Sequence, residues 1–415
     1  MAALDPVVLA IFALVYAGMI LGELPGLAID RTGIALLGAI ALLATGRIGL
    51  EGAADAIDGP TLALLFGLMV VSAQLRLGGF YTWLTRRLAG RASSPEALLA
   101  LLVAAAGALS ALLANDVVCL AMAPVVVEVC ARRRLDPVPF LLALACAANV
   151  GSAATLIGNP QNMLIGQSLG LGFAGYLLDG GVPAALGLGV VFEIVRRRAG
   201  GAWERALPVP AIDAPPFDLW QSAKGLLLLA ALVVAFLAAP WPREVMALAA
   251  AGILLCSRRM ASRDILGLVD WHLLVLFIGL FVVNRALADS GAPARALASL
   301  AEAGVDLAQP AWLYAASAVL SNLVSNVPAV MLLLPAAAHP LAGPALALAS
   351  TLAGNLLVVG SIANLIVIDQ ARRLGVEIDW RRHARVGVPV TFATLAIGAG
   401  WLALLAALAG PSPSG

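Results

Sequence analysis

Charge is scarce in this chain. Only 12% of its 415 residues are Asp, Glu, Lys or Arg, and Lys224 is the single lysine among 25 basic residues. Soluble domains carry about 25% charged residues, so a water-exposed globular enzyme is excluded. The net charge of +1 leaves no basic footprint for nucleic acid. His272, His339 and His383 lie far apart, and Cys119, Cys130, Cys146 and Cys256 sit in apolar runs without metal-ligand spacing. Neither a histidine metal centre nor a zinc site is therefore expected, and the cysteines read as small buried hydrophobes. No Walker motif appears, so any use of ATP requires a separate subunit, and no nucleophile–base pair supports an enzyme. No cofactor is expected. MAALDP, the first six residues, carries no basic n-region, so the opening apolar run reads as a retained helix and not a cleaved signal. The bias to arginine suits a GC-rich bacterial genome, and hence a bacterial cytoplasmic membrane.

What is abundant is apolar sequence. The chain is 62% hydrophobic, and apolar stretches recur from 7–22 through to 387–408. Several approach the ~20 residues needed to cross a ~30 Å hydrocarbon core. The fold class is an all-α polytopic membrane protein, embedded in lipid.

The chain also says one unusual thing twice. LSALLANDVVCLAMAP at 109–124 returns as LSNLVSNVPAVMLLLP at 320–335, so that Ser110, Asn115 and Pro124 match Ser321, Asn326 and Pro335 at a spacing of 211. TLIGNPQN at 155–162 returns as LVVGSIAN at 357–364, matching Gly158 to Gly360 and Asn162 to Asn364. Arg31 pairs with Arg243 and Asp58 with Asp270 at a spacing of 212. Amides and helix breakers in corresponding places of two apolar halves point to a transporter's midplane site.

Arginine placement folds this pattern through the membrane. As one helix, 97–131 would run about 52 Å, more than a bilayer core requires. Arg86, Arg87 and Arg91 precede it and Arg132, Arg133 and Arg134 follow it. Basic loops prefer the cytoplasm, so both ends lie on one face and the segment is a re-entrant hairpin with its tip near Asn115. Five spans and one hairpin per half then place all basic residues but Arg47, Arg243, Arg285 and Arg295 on the cytoplasmic side, with both termini outside. An odd number of spans makes the halves inverted repeats, 1–198 and 222–413, the second with its hairpin at about 311–338. Residues 199–221 form a proline-rich cytoplasmic linker with a short interfacial helix carrying Trp203 or Trp220. Glu128, Glu193 and Asp369 are expected at the interface, and Arg285 snorkels outward.

Hairpin tips and helix breaks should meet at the bilayer centre. The candidate substrate and ion ligands are Asn115, Asp116, Gly158, Asn159 and Asn162 in the first half. Ser325, Asn326, Gly360, Ser361 and Asn364 are their counterparts in the second. Freed carbonyls bind cations and half-helix N-termini favour anionic groups. Sodium is placed at Asn115, Asp116, Gly158, Asn326 and Gly360. Small polar residues in membrane helices also serve plain interhelical bonding, worth ~0.6 kcal/mol. Asp116 is the sharpest candidate, because an intramembrane acid costs ~2.5–3.5 kcal/mol and marks an ion or proton path. Its alternative role is to cap the returning arm.

At these residues the chain resembles the ion transporter superfamily, and within it the arsenite permease, NhaD-type sodium/proton antiporter and citrate-transporter-like branch. The ND tip before a proline, GNPQN, SNVP and GSIAN carry the resemblance, which covers essentially the whole chain. The divalent anion:sodium symporters are more distant. Their tips carry Ser-Asn-Thr triplets that bind carboxylate and sodium, where this chain has Ala114-Asn115-Asp116 and Ser325-Asn326-Val327. Loss of both threonines and gain of an acid argue against simple dicarboxylate binding. The resemblance implies an ion-coupled secondary transporter working by alternating access, as a homodimer, on a small anion or an oxyacid such as arsenite. Sodium or a proton is the coupling ion. Sodium/proton antiport with Asp116 as carrier is the alternative, and a passive channel a further one.

Overall fold

The computed structural model describes residues 5–22 and 28–409. Both terminal segments, whose placement outside the membrane the sequence predicts, lie beyond the described residues. Twenty α-helices are found among those residues, and they form one decad repeated in the same order. The first decad begins with α1 (Pro6–Leu21), α2 (Arg31–Ala44), α3 (Leu50–Ala56), α4 (Gly59–Leu77) and α5 (Phe80–Arg91). It continues with α6 (Pro95–Leu112), α7 (Asn115–Arg132), α8 (Pro137–Ser152), α9 (Pro160–Ser168) and α10 (Phe173–Ala199). The second opens with α11 (Leu219–Ala238), α12 (Arg243–Leu255), α13 (Ser262–Leu266), α14 (Trp271–Asp289) and α15 (Ala292–Glu302). It closes with α16 (Pro310–Val324), α17 (Asn326–Leu333), α18 (Ala342–Ala353), α19 (Ile362–Arg373) and α20 (Trp380–Ala409). Six helices, α4, α6, α10, α11, α14 and α20, are long and apolar enough to cross a membrane. The protein is a multi-pass membrane protein.

Local chemistry explains why the decads match. Asp58 and Asp270 are the N-caps of α4 and α14, each accepting at 3.0 Å from a backbone N–H three residues on. α5 and α15 both start from a left-handed glycine, Gly79 at φ 69° and Gly291 at φ 72°, a backbone other residues adopt at a cost. The first hairpin turns at Leu113, whose backbone is extended, and the second at Ser325, which holds φ 75°. Pro124 is absorbed inside α7, whereas α17 ends short of Pro335 in a 3-10 turn over Leu334–Ala336.

Packing interlocks the two decads. α4 packs on α12 and α14 on α2; α7 packs on α19 and α17 on α9. At the first pair of crossings a side chain on Gly67 would stand 2.6 Å from the Ala247 backbone, and one on Gly279 would stand 2.7 Å from that of Ala35. Small residues allow such close approach, which supplies packing where lipid provides no hydrophobic drive between helices.

The linker departs from expectation. It spans 200–218 and contains no helix; Trp203 is buried in it, while Trp220 is exposed in the first turn of α11. Trp203 donates from Nε1 to Glu96 at 3.1 Å, Glu204 bridges to Leu135, and Phe217 stacks on Trp83 at 4.9 Å. These contacts hold the strap along its length, so no interfacial helix is needed. Glu128 also differs: it is buried, bonded by Arg86 at 2.9 and 3.2 Å and by Arg132 at 2.9 Å. Glu193 and Asp369 pair with arginines near helix ends, and Arg285 pairs with Asp289 in an exposed position. Cys256 is exposed, unlike the other three cysteines. Glu128→Gln should cost about 1–2 kcal/mol, a modest figure because both guanidinium partners are half exposed. A melting curve in detergent checks this, with the loss disappearing when Arg86 and Arg132 are also neutralised.

Candidate functional site

Each half contains a helix interrupted beside a hairpin tip. α8 stops at Ser152 and α9 resumes at Pro160; α18 stops at Ala353 and α19 resumes at Ile362. Asn159 caps α9, accepting from the Asn162 N–H at 2.9 Å, and Ser361 caps α19, accepting from the Ala363 N–H at 3.2 Å. In the first half, the tip and the break touch directly, because the Asn115 backbone N–H donates to the Gly158 carbonyl at 3.2 Å. Gly158 permits this, since a Cβ there would fall 2.3 Å from the Ser152 oxygen and 2.7 Å from the Ser110 oxygen.

The two breaks are closed in the same way. Asn162 Nδ2 donates to the carbonyls of Ser152 (3.4 Å) and Thr155 (3.0 Å), ten and seven residues back. Asn364 Nδ2 donates to those of Gly354 (2.9 Å) and Leu357 (3.1 Å), again ten and seven residues back. Each asparagine oxygen then accepts from the opposite half. Thr351 Oγ1 donates to Asn162 at 3.3 Å, and Asn149 Nδ2 donates to Asn364 at 3.2 Å. The helix caps join as well: Asn159 Nδ2 donates to Thr351 at 3.1 Å, and Ser361 Oγ donates to Asn149 at 2.8 Å. Asn149 also accepts from Asn115 Nδ2 (3.0 Å) and donates to Asn355 Oδ1 (2.9 Å). Ser152 Oγ accepts from Asn159 Nδ2 at 2.9 Å and donates to the Asn149 carbonyl at 2.8 Å, so Asn115, Asn159, Asn162, Ser361 and Asn364 belong to one buried network drawn from both halves. No lysine or arginine side chain enters it among the described residues.

Neither Asn149 nor Thr351 neighbours a helix breaker, so motif reading passes over them. They stand 13 residues before Asn162 and Asn364, and superposing GNPQN on GSIAN pairs them. That register was the available signal. Asn162 and Asn364 spend their amide hydrogens on their own loops, so they hold the breaks in shape. Along the hairpins, the buried oxygens without partners among the described residues are Asn115 Oδ1 and Ser110 Oγ in the first half, with Asn322 Oδ1, Asn326 Oδ1 and Ser321 Oγ in the second. Asn326 lies at the second tip beside Gly354, and a side chain on Gly360 would crowd Asn322 Oδ1 at 2.9 Å. Ser325 sits at the strained turn of that tip and forms no side-chain cap.

Asp116 is the second residue of α7 and does not cap it; the N-cap is Ala114, without a side-chain bond. Among the described residues no group hydrogen-bonds its carboxylate, and Asp270 lies within electrostatic range. Each half has a cavity beside its hairpin. A cavity of about 590 Å³ lies between α15 and the second hairpin, lined by Leu297, Leu300, Met331 and Pro335 with Asn284 and Arg285 from α14. A cavity of about 480 Å³ lies between α5 and the first hairpin, lined by Arg86, Ala89, Glu128 and Arg132.

The citrate transporter family profile matches residues 7–353. The chain belongs to that family. Relatives include the silicon efflux transporter LSI3 of rice, 30% identical over 91% of this chain and 93% of that one. The inner membrane protein YbiR of Escherichia coli is 31% identical over 79% of this chain and 83% of its own. The uncharacterized transporter Rv2684 of Mycobacterium tuberculosis is 30% identical over 90% and 93% respectively. In fold, the chain is similar to the Alcanivorax borkumensis YdaH transporter, whose crystal structure was described as having an unusual topology. That likeness has a TM-score of 0.62 at 17% identity and covers 98% of this chain and 99% of the other. A citrate transporter family member is a membrane transporter, and the shared network sits where its interrupted helices meet.

Proposed function

We propose that this protein is an ion-coupled secondary transporter that moves a small oxyacid across the bacterial inner membrane by alternating access. The observation that carries this is the buried amide and hydroxyl network built from both halves, with one acid beside it and no lysine or arginine within it. Amides and hydroxyls both donate and accept, which suits a neutral or weakly charged solute bearing several hydroxyls. A citrate-like polyanion would need cationic partners at the same depth. The silicon efflux transporter among its relatives fits an oxyacid substrate.

The coupling ion, sodium or a proton, is assigned to Asp116 and the unpartnered oxygens of Asn115 and Asn326. Gly158 and Gly360 contribute backbone at the breaks. The two decads act as inverted repeats within a homodimer. Each half has a cavity beside its hairpin, about 590 Å³ at the second and about 480 Å³ at the first, and alternating access would open them in turn. The arginine-rich face is cytoplasmic, following the positive-inside rule.

Reconstituted protein tests the reading. Uptake of arsenite or silicic acid should saturate and should depend on an imposed sodium or proton gradient. Gradient-independent flux at channel rates would overturn it. The unbonded Asp116 carboxylate also favours a second reading, sodium/proton antiport. In that case sodium added alone would drive proton movement, seen with a pH-sensitive dye and no oxyacid present.

A further inference from the structure

The carbonyl that begins each break is held from behind by the last helix of its half, by different chemistry in the two halves. Tyr176, the fourth residue of α10, donates its hydroxyl to the Ala153 carbonyl at 2.9 Å. His383, the fourth residue of α20, places Nε2 at 3.1 Å from the Asn355 carbonyl. Ala153 and Asn355 are equivalent in the register that pairs Gly158 with Gly360. Four residues further on, each helix carries a glycine pressed on the same carbonyl. A Cβ on Gly180 would stand 2.5 Å from the Ala153 oxygen, and one on Gly387 would stand 2.3 Å from the Asn355 oxygen. The two clamps are therefore one device with a phenol in one copy and an imidazole in the other.

A carbonyl only accepts, so the imidazole must present N–H at Nε2. Neutral histidine has two tautomers, and the one protonated at Nδ1 turns a lone pair toward the carbonyl. The imidazolium always donates, and its charge-assisted bond is roughly twice as strong. Phenol, with an ordinary pKa of about 10, is unchanged across the range where histidine titrates. We propose that His383 is a positioning residue that makes the hold on the second break respond to protonation, while Tyr176 holds the first break at all physiological pH values. Acidification then tightens the segment 354–361. Through the Asn355 side chain, which accepts from Asn149, that tightening reaches the shared network.

The ring is almost fully buried, and charged neighbours are few. Arg381, Arg382 and Arg385 share its helix, and Asp379 precedes it, its backbone carbonyl accepting from the His383 N–H at 3.1 Å and its carboxylate from the Arg382 N–H at 2.7 Å. α10 brings Arg198 beside Arg381 and Arg385, with Glu193, Arg196 and Arg197 earlier in its last turns and Asp179 near its start. α8 supplies only Cys146 as a titratable group. α18 and the 3-10 turn Val358–Gly360 supply none, and Tyr314 of α16 bonds the backbone of Leu395 farther along. Among the described residues no acid faces the ring to hold it permanently charged.

The link from loop tightness to rate rests on the alternating-access reading; the clamp itself does not. Hydrogen exchange by mass spectrometry, corrected for intrinsic pH dependence, would be followed over 152–159 and 354–361 in the whole protein in nanodiscs. Between about pH 8 and about pH 5, protection of 354–361 should rise about threefold in the wild type, while 152–159 stays level. His383→Tyr should protect 354–361 equally at both values, and Tyr176→His should give 152–159 a pH response of its own. His383→Phe should leave 354–361 open throughout; if that variant does not fold, the tyrosine exchange decides. A level wild-type profile, or a pH response surviving in His383→Tyr, overturns the proposal. Uptake measured in parallel separates the two ideas. Gradient-driven uptake with pH-independent exchange removes the clamp and keeps the transporter, and the expected exchange pattern without any uptake does the reverse.

Discussion

Asp116→Asn is expected to leave the protein folded and able to bind its solute while reducing gradient-driven accumulation to passive equilibration. The carboxylate caps no helix and receives no hydrogen bond among the described residues, so its charge supports no fold contact there that asparagine would lose. Removing an acid from this depth relieves an insertion cost of ~2.5–3.5 kcal/mol, and the variant should melt no lower than the wild type. What disappears is the acid that the proposed coupling uses to exchange a proton or neutralise a sodium ion. The equivalent position in the second half is Val327, so the repeat holds no spare acid. Accumulation ratios in proteoliposomes, with and without an imposed gradient, measure the effect, and a thermal-shift titration shows whether solute binding persists. A variant that keeps full coupling would move the ion site to the unpartnered oxygens of Asn115, Asn322 and Asn326.

Much of this architecture is legible in the sequence because two independent signals coincide there. Arginine clusters bracket a segment too long for one span, and asparagine with glycine recurs at a fixed spacing. The structure turns that segment back after Leu112 and interrupts the following helices beside Gly158 and Gly360. Illegible are the contacts that depend on how the halves face each other. Asn149 and Thr351 are ordinary polar residues within helices, and only the approach of the opposite break gives each a partner. The linker misleads for a related reason. Its prolines and tryptophans suggest a surface helix, yet Trp203 finds Glu96 and Phe217 finds Trp83, and these tertiary contacts hold it extended. Glu128 reads as a span-end charge, but three-dimensional proximity to Arg86 buries it.

Gly158→Ala and Gly360→Ala, identical changes at equivalent positions, are expected to have unequal consequences. The methyl at 158 would meet only backbone: the Ser152 oxygen at 2.3 Å, its Cα at 2.7 Å and the Ser110 oxygen at 2.7 Å. Neither the break nor the hairpin can yield without losing the bond from Asn115 N–H to the Gly158 carbonyl. Overpacking of this kind costs about 1–3 kcal/mol, and a rigid backbone neighbour puts this case at or above the upper figure. Transport should cease. The methyl at 360 would meet Asn322 Oδ1 at 2.9 Å and the Gly354 oxygen at 3.2 Å. The Asn322 oxygen has no partner to lose, and the side chain need shift only slightly, keeping its Nδ2 bonds to the Ala318 and Ala353 carbonyls. A cost of about 1 kcal/mol, with measurable residual transport, is expected there. Melting temperatures and initial uptake rates of the two variants, compared side by side, give the ranking. The reverse order would mean that the first break can rearrange freely, and that the second, more exposed one is the rigid element on which transport turns.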